Sequence, residues 1–292
     1  MTNNFTPQLT ADGSFTFYSE EFGEAFHSNF GALQESLLKF VEPTQLAQKA
    51  KRGKLCILDV CYGLGYNTAA ALQTIWKINP NCLVEIIALE LNPKVPQAAI
   101  NNNLFENFFL EHTNILTQLA FEYRVTAQYL TANLLIGDAR NIILQVYQSG
   151  FKADAIFLDP FSPPKCPQLW TIEFIKKLSA CLHVSGSLAT YSCAAAVRTA
   201  LLAAGLVLGS TPPVGRKTPG TVAVSSEASN TLPQSYNLCL AEIEHLQTRA
   251  AVPYRDPKLN DSPAVILQRR QQEQQDSDFE PTSHWQKRWR NQ

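Results

Sequence analysis

The chain has 292 residues, of which 45% are hydrophobic and 17% charged, a composition that builds a packed core and excludes a disordered or collagen-like protein. Its 24 Lys and Arg nearly balance 25 Asp and Glu, for a formal charge of −1. That excludes holding nucleic acid by a broad basic face and leaves only local basic patches for such a partner. Seven cysteines without a CxxC pair read as reduced thiols, not as a disulfide or zinc framework, so no metal is expected. The polar start, Met1 to Gln8, carries no signal pattern, and no apolar run approaches the roughly 18 residues of a membrane span. The expected setting is the cytoplasm, with no membrane partner.

Residues 1–53 read as an N-terminal extension or cap. In "DGSFTFYS" an Asp-Gly turn precedes Phe15 and Phe17 at alternate positions, which predicts a short hairpin strand. From Gly31 to Val41 the residues Leu33, Leu37, Leu38 and Val41 recur at helical spacing. Residues 54–245 read as the main domain. "LCILDV" is a short apolar run expected of a strand covered on both faces, followed by a glycine turn and a helix over Asn67–Trp76. "VEIIALEL" is a second strand, and Pro93 opens a helix to about Asn103. Helix then strand is expected between Leu104 and Tyr129. "ANLLIGDAR", "ADAIFLDPF" and "GSLATYS" are further strands, separated by a helix at Ile172–Leu182 and followed by one at Ala194–Ala204. Between Arg216 and Gln234 a loop is expected, with a short strand at "TVAVS", and "YNLCLAEI" reads as a late strand. Residues 246–292 form a C-terminal tail, expected to be partly disordered beyond Glu273. Strands alternating with helices predict an α/β fold with a mostly parallel, doubly wound, Rossmann-like sheet.

Ligands of such sheets bind at the carboxyl ends of the strands. Those ends carry Asp59, Glu90, Asp138 and Asp159. Asp59 precedes Gly63 and Gly65 in a strand–turn–helix setting, where glycine lets backbone approach a ligand closely. A dinucleotide fingerprint would need a third glycine at Thr68, and no phosphate-loop Gly-Lys-Ser/Thr occurs. An acidic strand end beside such a turn suits the ammonium of an amino-acid moiety, although a plain structural turn has the same residues. Glu90 is placed to accept from ribose hydroxyls of either a nicotinamide dinucleotide or S-adenosylmethionine. Asp138 can accept from an adenine amine or simply cap a helix. In "FLDPFSPPK" the prolines impose a rigid, non-helical loop. It sets Asp159 and Phe161 side by side, fit for a ring-borne amine: Phe161 to stack, Asp159 and a backbone carbonyl to meet the nitrogen. Trp170, just beyond, is a candidate substrate contact, although a single Trp there is more often core. His27 is a candidate on the substrate side.

Together these segments resemble the methyltransferase domain of the MnmC-type tRNA 5-methylaminomethyl-2-thiouridine family, in a stand-alone form without the FAD oxidoreductase half. "LDPFSPPKCPQLWT" is similar to that family's Asp-x-Phe-x-Pro-x-Lys-x-Pro-x-x-Trp-Thr signature. "GSLATYSCAAAVRTALLAAG", "VGRK" and "DGSFTFYSEEFGEAFHSNFGALQES" resemble its strand–helix segment, its Gly-Arg-Lys turn and its N-terminal cap. The likeness runs over about residues 12 to 220, more loosely to Pro257. It departs at Pro160, where a small residue is common, and at "GRKTPG", which replaces a more basic run.

The resemblance implies a class I S-adenosylmethionine-dependent enzyme that methylates the exocyclic amine of 5-aminomethyl-(2-thio)uridine at the tRNA wobble position. A separate enzyme would supply the aminomethyl substrate. It implies that Asp59, Gly63, Gly65 and Glu90 bind the cofactor with Asp138 at its adenine, and that Asp159 and Phe161 face the acceptor. His27, Lys165, Trp170, Arg216 and Lys217 stand on the substrate side. Phosphate contacts are expected from Lys165, Arg198, Arg216 and Lys217 and from the tail's Arg269, Arg270, Lys287, Arg288 and Arg290. Two other readings remain: a methyl- or aminopropyltransferase acting on a small amine, and a non-catalytic nucleotide-binding protein of the same fold.

Overall fold

The computed structural model describes residues 5–105, 110–214 and 218–289. Its centre is an eight-stranded sheet. In chain order the strands are β1 (Lys54–Val60), β2 (Leu83–Glu90), β3 (Arg124–Ala127), β4 (Leu130–Ile136), β5 (Ala153–Leu158), β6 (Leu182–Thr190), β7 (Leu206–Thr211) and β8 (Gly220–Ser225). In space the order is β7-β8-β6-β5-β1-β2-β4-β3. Neighbours from β4 through β2, β1 and β5 to β6 run parallel, while β3 is antiparallel to β4, and β8 antiparallel to both β6 and β7.

The central strands are covered on both sides, which is why they read as continuous apolar runs. On β1, Leu55 and Ile57 enter one core with Phe17 and Phe40 of the cap and Phe157 of β5. Leu58 and Val60 enter the other, with Ile156, Trp170 and Phe174. This two-residue alternation is the pleat of a strand buried on both faces. The chain winds outward from β1 through β2 to β4, then returns to lay β5 on the other side of β1. That reversal opens a crevice beyond the carboxyl ends of β1 and β5.

Helices flank the sheet: α1 (Tyr66–Ile78), α2 (Lys94–Asn101), α3 (Thr113–Glu122), α4 (Ala139–Gln148), α5 (Ile172–Ala180) and α6 (Ala195–Ala203). The expected N-terminal hairpin is present: Gln8–Leu9 pairs with Phe15–Thr16. The Asp12 carboxylate ties its turn by accepting from Ser14 N and Oγ. The helix expected over Gly31–Val41 is α-helical at Ala32–Glu35 and continues as wide π turns over Ser36–Val41.

Three expectations need correction. The strand expected at "TVAVS" is present, but as a full member of the sheet, β8, buried between β6 and β7, and not as a short strand within a loop. "YNLCLAEI" is a helix, α7 (Leu240–His245), not a strand. Glu242 reaches back to the Cys239 N–H in a capping box, and Leu240 and Ile243, three apart, are largely exposed, so no sheet burial favours the extended form. The tail expected to be partly disordered forms α8 (Pro263–Gln275) and α9 (Thr282–Trp289). Its composition is polar, yet it is held by directional bonds: Arg270 donates to Val252 O and Ala250 O, and Trp285 Nε1 to Ala241 O at 2.8 Å. Ile266 is its buried apolar anchor. No helix among the described residues is long and apolar enough to cross a membrane.

Candidate active site

A cavity of about 560 Å³ lies at the switch point, walled by the carboxyl ends of the strands and by cap residues 18–30. Its size is that of a small-molecule site, roughly 300–1,000 Å³. Gly63, Glu90, Asp138, Asp159, Phe161 and His27 of the expected set all border it. The alternation of strand and helix brings them together: Gly63, Glu90, Asp138 and the Asp159–Phe161 pair stand at the ends of four different strands, and His27 comes from the cap.

At one side Glu90, 7% exposed, accepts from Gly63 N with Oε2 and from Asn92 N with Oε1, both at 2.8 Å. It thereby ties the turn after β1 to the turn after β2. Burial raises its pKa, and the Asn92 and Gly63 N–H bonds oppose that. Asp59 lies behind the turn, not in the cavity wall: it is fully buried, one oxygen accepts from Thr68 Oγ1 at 2.7 Å, and its Oδ1 has no partner. Burial pushes its pKa up to about 7; the Thr68 bond opposes this and the Glu90 charge adds to it.

Gly65 also stands behind the wall, in left-handed backbone at φ +100° ahead of α1. A Cβ there would lie 2.6 Å from Tyr62 Oη. Gly65→Ala is therefore expected to cost about 2 kcal/mol from the backbone conformation plus the displaced tyrosine, measured as a lower urea midpoint with unchanged m-value. Cys61, which does border the cavity, takes the left-handed region at φ +69° without being glycine.

Asp138 caps α4, accepting from Arg140 N at 2.9 Å. Both its oxygens also meet the Arg140 guanidinium, which bridges on to the fully buried Asp256 at 2.8 Å. The capping role and the cavity position coexist.

On the other side Asp159 follows β5. Its Oδ2 accepts from Asn67 Nδ2 at 2.9 Å, and Asn67 Oδ1 is buried without a partner. The loop carbonyls expected to meet an amine are engaged elsewhere: Tyr191 Oη donates to Pro160 O and Trp170 Nε1 to Phe161 O, each at 2.9 Å. Trp170 is thus no substrate contact. It is fully buried, outside the cavity, and supports Phe161 from below. Trp170→Phe, which orphans the Phe161 carbonyl, should cost about 1–3 kcal/mol, read as a lower midpoint in urea together with reduced turnover. One face of Phe161 is taken: Phe22 stacks on it at 4.3 Å, and Phe26 meets it edgewise at 5.0 Å. His27 is 8% exposed, with Nδ1 3.3 Å from Thr16 Oγ1; burial lowers its pKa, against the charges of Glu35 and Asp12, and favours the neutral ring.

The electrostatic character of the cavity is one-sided. Glu20, Glu21, Glu24 and Glu35 of the cap join Glu90, Asp138 and Asp159, and no Lys or Arg borders it among the described residues. Such a space favours a cation and repels phosphate. Reasoning from sequence missed Glu24, Asn67 and Tyr191; a polar residue opening α1 beside the Gly63 turn was the one available hint, and it pointed to Asn67.

Among the described residues, four of the six basic side chains expected to grip phosphate are committed to the protein itself. Arg198 is buried and bonded to Thr221, Ser210 and Glu242. Arg269 is held by Asp261 and Arg255 O, and Arg288 by Glu244 and Glu280. Arg270 donates to the chain and lies over Tyr254. These four are structural. Lys165 is exposed beside Gly23 and Lys287 is exposed on α9. Arg216, Lys217 and Arg290 lie outside the described residues.

A sequence profile of the S-adenosyl-L-methionine-dependent methyltransferases matches residues 102–226. An uncharacterized protein of Methanocaldococcus jannaschii is 31% identical over 273 residues, covering 90% of this chain and 70% of that protein. The tRNA 5-methylaminomethyl-2-thiouridine biosynthesis bifunctional protein MnmC of Ralstonia nicotianae is 30% identical over 233 residues. The match covers 75% of this chain and 34% of MnmC, so the chain spans about a third of that relative. The crystal structure of MNMC2 from Aquifex aeolicus superposes with a TM-score of 0.81 at 34% identity, over 94% of this chain and 87% of the other.

Proposed function

The chain belongs to the MnmC-type family of S-adenosylmethionine-dependent methyltransferases, and from that premise we propose that it methylates the exocyclic amine of 5-aminomethyl-(2-thio)uridine at the tRNA wobble position. The observation that carries this reading is the acidic cavity, with Asp159 steadied by Asn67 on one side and Glu90 and Gly63 on the other.

The cofactor is S-adenosylmethionine, and its bound form supplies an electrophilic methyl group on a sulfonium. The residues present fit it. A cationic, amino-acid-bearing ligand suits a wall of carboxylates, and Asp59 Oδ1 is an orphaned buried acceptor beside the turn. Gly63 and Glu90 would hold the ribose side, Asp138 the adenine, and Asp59, acting through the turn, the ammonium.

On the acceptor side, Asp159 accepts an N–H of the substrate amine and turns its lone pair toward the methyl. Asn67 Nδ2 fixes the carboxylate plane for that task. A lysine-like amine costs roughly 4–5 kcal/mol to deprotonate at pH 7. The carboxylates attract the charged form, so they aid capture and oppose deprotonation; kcat/KM should rise with pH until the amine is neutral. Correct placement of nitrogen against methyl is worth roughly 7–11 kcal/mol, larger than that cost, so orientation is the main task of Asp159. The aromatic wall of Phe22, Phe26 and Phe161 seats a planar ring at the edge that these rings leave open.

The commitment of Arg198, Arg269, Arg270 and Arg288 to internal bonds favours a second reading, a small free amine as acceptor. Methyl transfer from labelled cofactor to tRNA bearing aminomethyl uridine, against free polyamines, separates the two. Label entering the wobble nucleoside, identified by mass spectrometry, supports the tRNA reading. Label confined to polyamines overturns it.

A further inference from the structure

Residues 18–25 of the cap form a tight ribbon, Tyr18–Ser19 against Glu24–Ala25, closed by Gly23 N donating to Ser19 O at 2.8 Å. Three side chains at alternate positions on it and just past its end, Phe22, Glu24 and Phe26, all grip the Asp159 loop. Phe22 and Phe26 pack on Phe161. Glu24 takes both polar groups of Ser162: one oxygen accepts from Ser162 N at 3.0 Å, the other from Ser162 Oγ in a very short bond. The rest of the loop is fixed by the main domain, through Val60 O, Tyr191 and Trp170. Ser162 O, in the following peptide, receives Lys165 N and Cys166 N at 2.8 and 2.9 Å, so the residue that Glu24 holds also anchors the segment beyond.

We infer that Glu24 is a positioning residue for methyl transfer: by holding both donors of Ser162 from the cap, it sets where the loop presents Asp159 and Phe161 to the acceptor. This rests on the reading of Asp159 as the group that meets the amine. The arrangement has a physical rationale. A proline-rich loop lacks N–H groups at Pro160, Pro163 and Pro164 and so has few internal bonds to fix its height above the sheet. A carboxylate that accepts two bonds at one residue replaces them, and charge-assisted bonds of this kind are about twice as strong as neutral ones.

The test uses the full chain with three substitutions, Glu24→Ala, Glu24→Gln and Ser162→Ala. Three measurements are made on each: amide hydrogen exchange over residues 159–166, cofactor affinity by calorimetry, and kcat and KM with the aminomethyl-uridine tRNA. Glu24→Ala is expected to raise exchange at Ser162, Lys165 and Cys166 and to lower kcat by about 10–100-fold, the scale of a small misplacement. Cofactor affinity should stay within about twofold of the unaltered chain. Glu24→Gln should recover most of both losses, since its carbonyl can accept from Ser162 N while its amide donates to Ser162 Oγ. Ser162→Ala keeps one of the two bonds and should fall between them.

Unchanged exchange in Glu24→Ala overturns the inference, as does a loss of cofactor affinity in step with kcat. Glu24→Gln that restores the loop's exchange protection yet stays as slow as Glu24→Ala would assign the charge a direct role on the acceptor and overturn it equally. If the unaltered chain leaves tRNA unmethylated, the functional reading fails, while the exchange pattern still decides whether Glu24 holds the loop.

Discussion

Asp159→Ala should lower kcat by at least about 10²-fold, the scale of losing an oriented catalytic group, while cofactor affinity stays within about threefold. The separation follows from geometry. Asp159 stands beyond β5 with the Phe161 loop, whereas the turn of Gly63 and its tie to Glu90 belong to β1 and β2. Removing the carboxylate also leaves Asn67 Nδ2 without its 2.9 Å acceptor, next to an Oδ1 that already has no partner. Part of the loss would then come from a rearranged Asn67. Asp159→Asn controls for this: it keeps an acceptor for Asn67 and the shape of the side chain but removes the charge. If charge matters through attraction of the amine, Asn should chiefly raise KM; if orientation dominates, it should chiefly lower kcat. Single-turnover methyl transfer and calorimetric titration of the cofactor measure the two quantities separately. A parallel fall in both for Asp159→Ala would place Asp159 in the cofactor's site and remove it from the acceptor's.

What the sequence made legible was the part of the site that lies along the chain's own rhythm. Glu90, Asp138 and Asp159 each follow an apolar run at a strand end, so recognising the strands located the acids without any knowledge of pairing. The class of the sheet, mostly parallel and doubly wound, was legible to the same degree, because alternating strands and helices leave few arrangements; the order of its strands came only from the structure. Contacts made by distant segments were not. Glu24 looks like one of several surface acids in "EEFGE", and only the packing of the cap on the Asp159 loop gives it a partner. Arg198 looks like a free cation in an apolar helix, yet it is neutralised by Glu242 from α7, an apolar segment too short for its periodicity to reveal whether it is helix or strand. Cys61 shows the opposite failure: its left-handed backbone is a demand of the turn, and the residue type that would have betrayed it, glycine, is not there. Trp170 misled because a signature position was read as a contact when its indole N–H serves the loop's backbone.

The second large effect concerns Asp59. Its carboxyl is fully buried and has a pKa near 7, against 3.8 for the free group. Between those values the folded chain retains a proton that the unfolded chain has released, so stability falls as pH rises through that window and the contribution is intact only below it. Asp59→Asn removes the titration. It keeps an oxygen to accept from Thr68 Oγ1 and avoids a buried negative charge. Relative to the unaltered chain it should gain about 2–4 kcal/mol at pH 8 and little near pH 4, seen as a rise in Tm that grows with pH. Cofactor binding should move the other way. If Asp59 holds the cofactor's ammonium through the turn, the ligand stabilises the ionised carboxylate, and affinity in the unaltered chain should increase as pH passes 7. Asp59→Asn should bind the cofactor at least about tenfold more weakly and lose that pH dependence. A variant both more stable when empty and poorer at binding is what a strained binding residue produces. Thermal melts at pH 5 and pH 8, with and without S-adenosylmethionine, measure all of these at once. An Asp59→Asn chain with lower Tm at pH 8 and unaltered cofactor affinity would make Asp59 an ordinary structural acid, paired with Thr68 and nothing else.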